Sequence, residues 1–190
     1  MQLAGHEAYH LHELVLGSAN MVTTLSYFVK HVQDTELKSI MARQYRLHIQ
    51  DYNLKVEYMQ NPEGPRAEVP VPPLNPVLES FTESPVAHYT PYVPRADIQQ
   101  FSDREIATSY LLALKRSGRE TSWAALETAN PSLRCLLEDG FVMNSHHAYE
   151  IWEWMVKHGY YPLQPASSDI LNTVEDMYSS LDQPQPTGIH

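Results

Sequence analysis

Cysteine is nearly absent from this chain: of 190 residues only Cys135 is one, so no internal disulfide framework exists. An ordinary surface thiol is the simplest reading of it. Long apolar runs are missing too. None reaches the roughly 18 residues a membrane-spanning helix needs. Positive charge is scarce, with 13 Lys and Arg against 23 Asp and Glu and a formal net charge of −10. That excludes nucleic acid as a main partner, because binding phosphates takes a basic surface. It argues equally against an anionic membrane surface. The opening residues, Met1 to Glu7, lack the basic stretch and apolar run of a secretory signal, which predicts synthesis in a cytoplasm. No phosphate-cradling glycine loop, dinucleotide fingerprint or Ser-His-Asp constellation occurs.

Proline is the informative absence. Residues 1–60 and 95–130 contain none. Between them, Pro62, Pro65, Pro70, Pro72, Pro73, Pro76, Pro85, Pro91 and Pro94 crowd one segment. Proline fixes φ and removes a backbone donor, so this segment is neither helix interior nor central strand. A structureless stretch this long inside a compact domain needs a task. Carrying the chain along the length of a helix bundle is such a task, and it predicts an all-α, ferritin-like four-helix bundle with a long crossover.

What is present fits that plan. Leu11, Leu14, Val15, Ser18, Met21, Val22, Leu25, Phe28, Val29 and Val32 recur at spacings of three and four, predicting a first helix over Gly5–Gln33. Asp34 and Thr35 offer a cap for a second over Thr35–Gln60, with Leu37, Ile40, Met41, Leu47, Leu54 and Tyr58 inward and Asn61-Pro62 as the stop. So short a link makes an antiparallel hairpin. Ser102 and Glu105 form a capping box opening a third helix over Ser102–Ala129. Asn130-Pro131 stops it and starts a fourth over Pro131–His158, with Gly159 as C-terminal cap. Ser167 opens a shorter fifth helix with Ile170, Leu171, Val174, Met177, Tyr178 and Leu181 on its apolar side. One domain is expected over 1–182: hairpins at 5–60 and 102–159, crossover at 61–101, short helix at 167–182. Residues 183–190 read as a flexible tail.

Two polar clusters interrupt the stripes. Extending the registers places Gln44, His48 and Asp51 of helix 2, and Asn144, His147 and Glu150 of helix 4, toward the core. Each His-x-x-carboxylate pair lies on one helical face. Converging, His48, Asp51, His147 and Glu150 could hold one divalent metal ion; equally, they could form a hydrogen-bonded layer that fixes helix register. A ferritin-like metal centre also needs inward glutamates on helices 1 and 3, where Ser18 and Ser117 stand, with Glu120 just off the stripe. The second cluster is Glu7 and His10, with Glu57 expected at the same level, as a weaker metal candidate. Acidic side chains near the positive end of a helix dipole account for Glu7 more simply. His146 should point sideways. Trp123, Trp152 and Trp154 read as packing groups, and Trp152, off the stripe, as an oligomer contact.

One further pattern is present. Ser102-Asp103-Arg104-Glu105-Ile106-Ala107-Thr108, then Ala125-Leu126-Glu127-Thr128-Ala129-Asn130-Pro131-Ser132-Leu133-Arg134, ending in Lys157-His158-Gly159-Tyr160-Tyr161, resembles the spore coat protein F family of endospore-forming Bacillota. His6-Glu7, His12-Glu13-Leu14 and Asp34-Thr35-Glu36-Leu37-Lys38 resemble its first hairpin. The resemblance covers most of residues 5–161 and is most specific in helices 3 and 4. It implies a ferritin-like bundle made in the mother cell and laid down in the spore coat, with no established enzymatic activity, no cofactor, and other coat proteins as partners. Self-association as a homodimer is expected besides. The competing expectation is a ferritin-like metal-binding protein or oxidase with a degenerate site.

Overall fold

The structure is a computed structural model that describes residues 3–61, 63–65 and 67–181. The stop expected at Pro62, the end of the short helix at Asp182 and the tail at 183–190 lie outside the described residues. Five helices occur in order: α1 (Gly5–His31), α2 (Thr35–Gln60), α3 (Asp103–Glu127), α4 (Pro131–Lys157) and α5 (Ser168–Met177). The chain is all-α. α1 pairs with α2, α3 with α4, and the hairpins pack through α1–α3 and α2–α4.

Helix ends fall where local chemistry puts them. Asp34 caps α2 by accepting from the Leu37 amide at 2.7 Å. Ser102 and Glu105 form the expected capping box at α3. Asn130 caps α4 by accepting from the Ser132 and Leu133 amides, ahead of Pro131. Gly159 follows α4 with φ of +69°, the left-handed conformation in which glycine is unstrained. A β-carbon there would also lie 3.0 Å from the His88 carbonyl oxygen. α1 stops at His31 rather than Gln33, because Val32 turns extended and fills the core. α3 and α4 each end short of expectation, at Glu127 and Lys157, where Thr128 and His158 serve as caps.

The hairpin links are clamped by carboxylates. Asp103 at the start of α3 accepts from the Gln33 and Asp34 amides, both at 2.8 Å, tying the α1–α2 turn to the second hairpin. At the opposite end Glu7, 2% exposed, accepts from the amides of Ala129 and Asn130 at 2.8 Å and of Ala4 at 2.7 Å.

Residues 61–102 hold neither helix nor strand among the described residues. They run parallel to α4 for its whole length. Val69 is buried beside Leu136. Nδ1 of His146 donates to the Pro72 carbonyl at 2.6 Å. Buried Glu153 accepts from the Val77 amide at 2.8 Å. The Thr90 amide donates to the Gly159 carbonyl at 3.1 Å. This strap explains why α4 is buried on a second face, at Glu153, Met155 and Val156.

The core is split in two. One cluster, around Leu25, Phe28, Met41, Leu114, Ile151 and Trp154, fills the end at the α1–α2 turn. The other, around Leu11, Leu54, Tyr58, Leu133 and Leu137, fills the end at the α3–α4 turn. Fully burying such a side chain stabilises by about 1.5–3 kcal/mol. Polar groups occupy the level between. α5 stands apart: none of its residues is buried.

Candidate polar centre of the bundle

The middle layer is built from α2, α3 and α4, with Ser18 of α1 at its edge. His48, Asp51, His147 and Asn144 are all 3% exposed or less, as their register predicts. The two imidazoles meet, with Nε2 of His48 at 3.2 Å from Nδ1 of His147 and the rings edge-on. Burial, and then the nearby Lys55 charge, lower the His48 pKa to about 3. Burial, then the charges of His48 and Arg43, lower that of His147 to about 2, against the opposing pull of Asp51. Both rings are neutral at ordinary pH.

Their hydrogen bonds have a direction. The Tyr110 hydroxyl, its pKa raised by burial, donates to Oε1 of Gln44 at 2.7 Å. Its oxygen is left to accept, and it lies 3.0 Å from Nε2 of His48. Gln44 in turn donates from Nε2 to Oε2 of Glu150 at 2.6 Å. A neutral His48 protonated at Nε2 therefore starts a chain of donors that ends on a carboxylate at the surface. The same His48 proton is shared with Nδ1 of His147, 3.2 Å away, so the matching His147 tautomer carries its own proton on Nε2, which has no hydrogen-bond partner among the described residues.

The carboxylates do not join the imidazoles. Glu150, expected inward, sits at the flank with its side chain 32% exposed and pairs with Arg43. It lies at the margin of the α4 stripe, where a long side chain reaches solvent more cheaply than it enters the core. Asp51 is buried but turns to the Lys55 ammonium one helical turn on, which is itself 1% exposed. Lys55 also donates to Ser18 Oγ at 3.2 Å. Sequence reasoning overlooked Lys55. The only available signal was its position four residues after Asp51 on the same face.

The second candidate cluster separates as well. Glu7 spends its carboxylate on three backbone amides. Burial raises its pKa, but those amides outweigh burial and hold it below the usual carboxylate range. Neither His10 nor Glu57 is among its partners. His10 instead borders a groove between α1 and α3. Trp123, expected to be a packing group, is 67% exposed on that groove. Trp152, half-buried, packs on the core and against Tyr149 and Tyr161.

This donor set does not suit a divalent cation. The Asp51 carboxylate is neutralised by an ammonium and the Glu150 carboxylate by a guanidinium. An ion between the imidazoles would face the Lys55 ammonium, and Asp51, the buried carboxylate nearby, already holds that ammonium through Oδ2 and leaves only Oδ1 unpaired. Among the described residues, no three His, Cys, Asp or Glu side chains gather closely enough to hold a metal. No helix among those residues is long and apolar enough to cross a membrane.

Comparison with known proteins agrees with the second hairpin first. Residues 102–164 match the family model of the Coat F domain. Spore coat protein F-like protein YhcQ of Bacillus subtilis (strain 168) is 22% identical over 185 residues, spanning 96% of this chain and 83% of the relative. A solved structure of a Bacillus halodurans C-125 protein, whose name places it provisionally in the spore coat, superposes with a TM-score of 0.63. It shares 14% identity and covers 89% of this chain and 98% of its own. That likeness shows a shared fold. The capped starts of α3 and α4, the Asn130-Pro131 break and the Gly159 turn all fall inside the matched span, and the chain is similar to a spore coat protein F-like protein over most of its length, with the match to the Coat F domain at residues 102–164.

Proposed function

We propose that this protein is a structural, non-catalytic component of the bacterial spore coat, made in the mother-cell cytoplasm and laid down on the forespore. The observation that carries the reading is the likeness to a spore coat protein F-like protein over 96% of the chain, through both hairpins and the crossover. The chemistry of the bundle centre supports it. Its buried carboxylate is bound by a buried ammonium, the carboxylate at its flank by an exposed guanidinium, and its imidazoles are neutral, buried and bonded to each other. Such a layer has no open position for substrate, and it fixes how the hairpins are set along one another. A buried polar group that finds its partner in only one register disfavours every other register.

Partners in this reading are further copies of the chain and other coat proteins. The competing reading, a ferritin-like metal protein or oxidase, loses ground on the Lys55 ammonium bound to Asp51. Fractionating sporulating cells and purified spores, with an antibody against this chain, tests the proposal. Recovery in the coat fraction is expected. Confinement to the mother-cell cytosol after spores are complete would overturn it.

A further inference from the structure

Two surfaces of this chain are open, and they are complementary. The first is the apolar side of α5. Ile170, Val174 and Met177 follow one another at spacings of four and three, with Leu171 and Tyr178 alongside, and all five are between 51% and 76% exposed. Ser167 caps the helix by accepting from the Ile170 amide. A helix of 10 residues is marginal in water on its own. An amphipathic one with a bare apolar stripe gains its stability when another surface covers it.

The second surface is the seam between α1 and α3. There the helices leave a groove of about 750 Å³. Gly17 of α1 opens it: a side chain there would meet no atom within 4 Å of its β-carbon. Leu16, 58% exposed, and Trp123, 67% exposed, line it. A narrower recess continues from Gly17 toward Phe28. From His10 to Phe28 the seam spans about 27 Å of helix, and α5 is about 15 Å long.

The charges match as well. After Lys157 the chain has no Lys or Arg, and α5 carries Asp169, Glu175 and Asp176. The groove's α3 wall presents Arg116 and Arg119, in a protein whose formal net charge is −10; Glu13 and Glu120 border it too, so the match is local to the two arginines. Among the described residues, of the two only Arg116 is engaged, in an exposed pair with Glu120 at 3.3 Å, which costs little to rearrange.

The tether favours a second molecule. Tyr89 of the crossover both donates to the Leu163 carbonyl and accepts from its amide, at 2.9 Å each. Four residues, Pro165 among them, then lead to α5, a reach of about 14 Å at most. α5 is held off its own bundle. We infer that the α1–α3 groove receives α5 of a second copy of this chain, a contact between unlike surfaces. Exchanged reciprocally it closes a dimer; exchanged onward it builds a chain of copies. This goes beyond the coat reading and does not depend on it, since purified protein alone tests it.

The test uses the full chain. Val174→Glu with Met177→Glu spoils the helix, and Gly17→Trp fills the groove. Val174 and Met177 are exposed and a β-carbon at Gly17 meets no atom within 4 Å, so neither variant should lower the wild-type urea midpoint. In sedimentation at micromolar concentration the wild type should associate, and each variant should do so at least tenfold more weakly. Mixing the two variants should restore pairing, because one keeps the groove and the other the helix. Raising salt should weaken it. In a Cys135→Ser background, Val174→Cys and Trp123→Cys on separately tagged copies should cross-link between copies. A concentration-independent monomer, association indifferent to both variants, or the absence of that cross-link in associated protein would each overturn the inference.

Discussion

Nε2 of His48 and Nδ1 of His147 lie 3.2 Å apart, buried between two hydrophobic clusters, with both rings held neutral. Their folded pKa values, about 3 and about 2, are lowered from an unfolded value near 6.5. Between those limits the unfolded chain binds protons that the folded chain refuses. Their contribution is therefore complete above about pH 6.5 and is lost as pH falls toward 3. We expect the urea midpoint to drop steadily over that interval, with a limiting slope of about 1.4 kcal/mol per pH unit for each uncharged ring. His147→Asn should flatten the profile. A midpoint independent of pH between 6.5 and 4 would contradict it.

The Lys55–Asp51 pair predicts an asymmetry. Lys55→Met leaves a buried carboxylate without its cation and should destabilise by about 3–5 kcal/mol. Adding Asp51→Leu removes the stranded charge and should recover most of that loss. Equilibrium urea denaturation of the two variants measures both effects. Equal damage from the single and double variants would show that packing, not charge, sets the cost.

Glu7 links the start of α1 to the α3–α4 turn through three amides. Glu7→Ala should cost at least about 1–3 kcal/mol, the penalty for the buried Asn130 amide alone. Because its pKa is lowered in the fold, this contribution holds above its ordinary pKa and fades as pH falls through the folded value. Hydrogen exchange should report faster exchange at Ala129 and Asn130 in the variant, with the α2 amides unchanged.

The strap along α4 is held by specific bonds, so it should release before the bundle does. Glu153→Ala together with His146→Ala removes the clasps at Pro72 and Val77. Limited proteolysis within residues 67–100 should accelerate severalfold while helical circular dichroism is kept. Simultaneous loss of helix would mean that the strap is part of the core.

Metal content separates the two functional readings. Elemental analysis of untagged protein should find iron, manganese and zinc well below one equivalent. Chelation should leave the urea midpoint unmoved, since only a ligand bound to the folded state adds to stability. Near-stoichiometric metal, lost on His48→Ala with His147→Ala, would restore the metalloprotein reading.

The fold was readable because each of its devices is local. Stripes at helical spacing, Asp34, Ser102 and Asn130 as caps, and prolines confined to one segment place four helices to within two residues. The centre was half readable. His48, Asp51 and His147 are buried by register alone. Their partners depend on contacts between helices that spacing cannot encode: Tyr110 comes from the facing helix and Lys55 claims Asp51. Glu153 was invisible because what buries it is the irregular crossover, which has no period. Trp123 misled for the opposite reason: a large aromatic ring on a helix reads as core unless the neighbouring helix is known to stand off.

The strap has a consequence for the order of events during synthesis. Pro72 is clasped by a residue 74 positions later, Val77 by one 76 later, and Tyr89 by one 74 later. At about 5–20 residues per second, the crossover spends roughly 4–15 seconds outside the ribosome before its binding surface exists. Throughout that wait its prolines leave no stretch longer than eight residues between Pro62 and Pro94 without one, which disfavours both a stable helix and a regular strand there. A segment of ordinary composition would find wrong partners in that time. This one stays extended until α4 arrives to receive it.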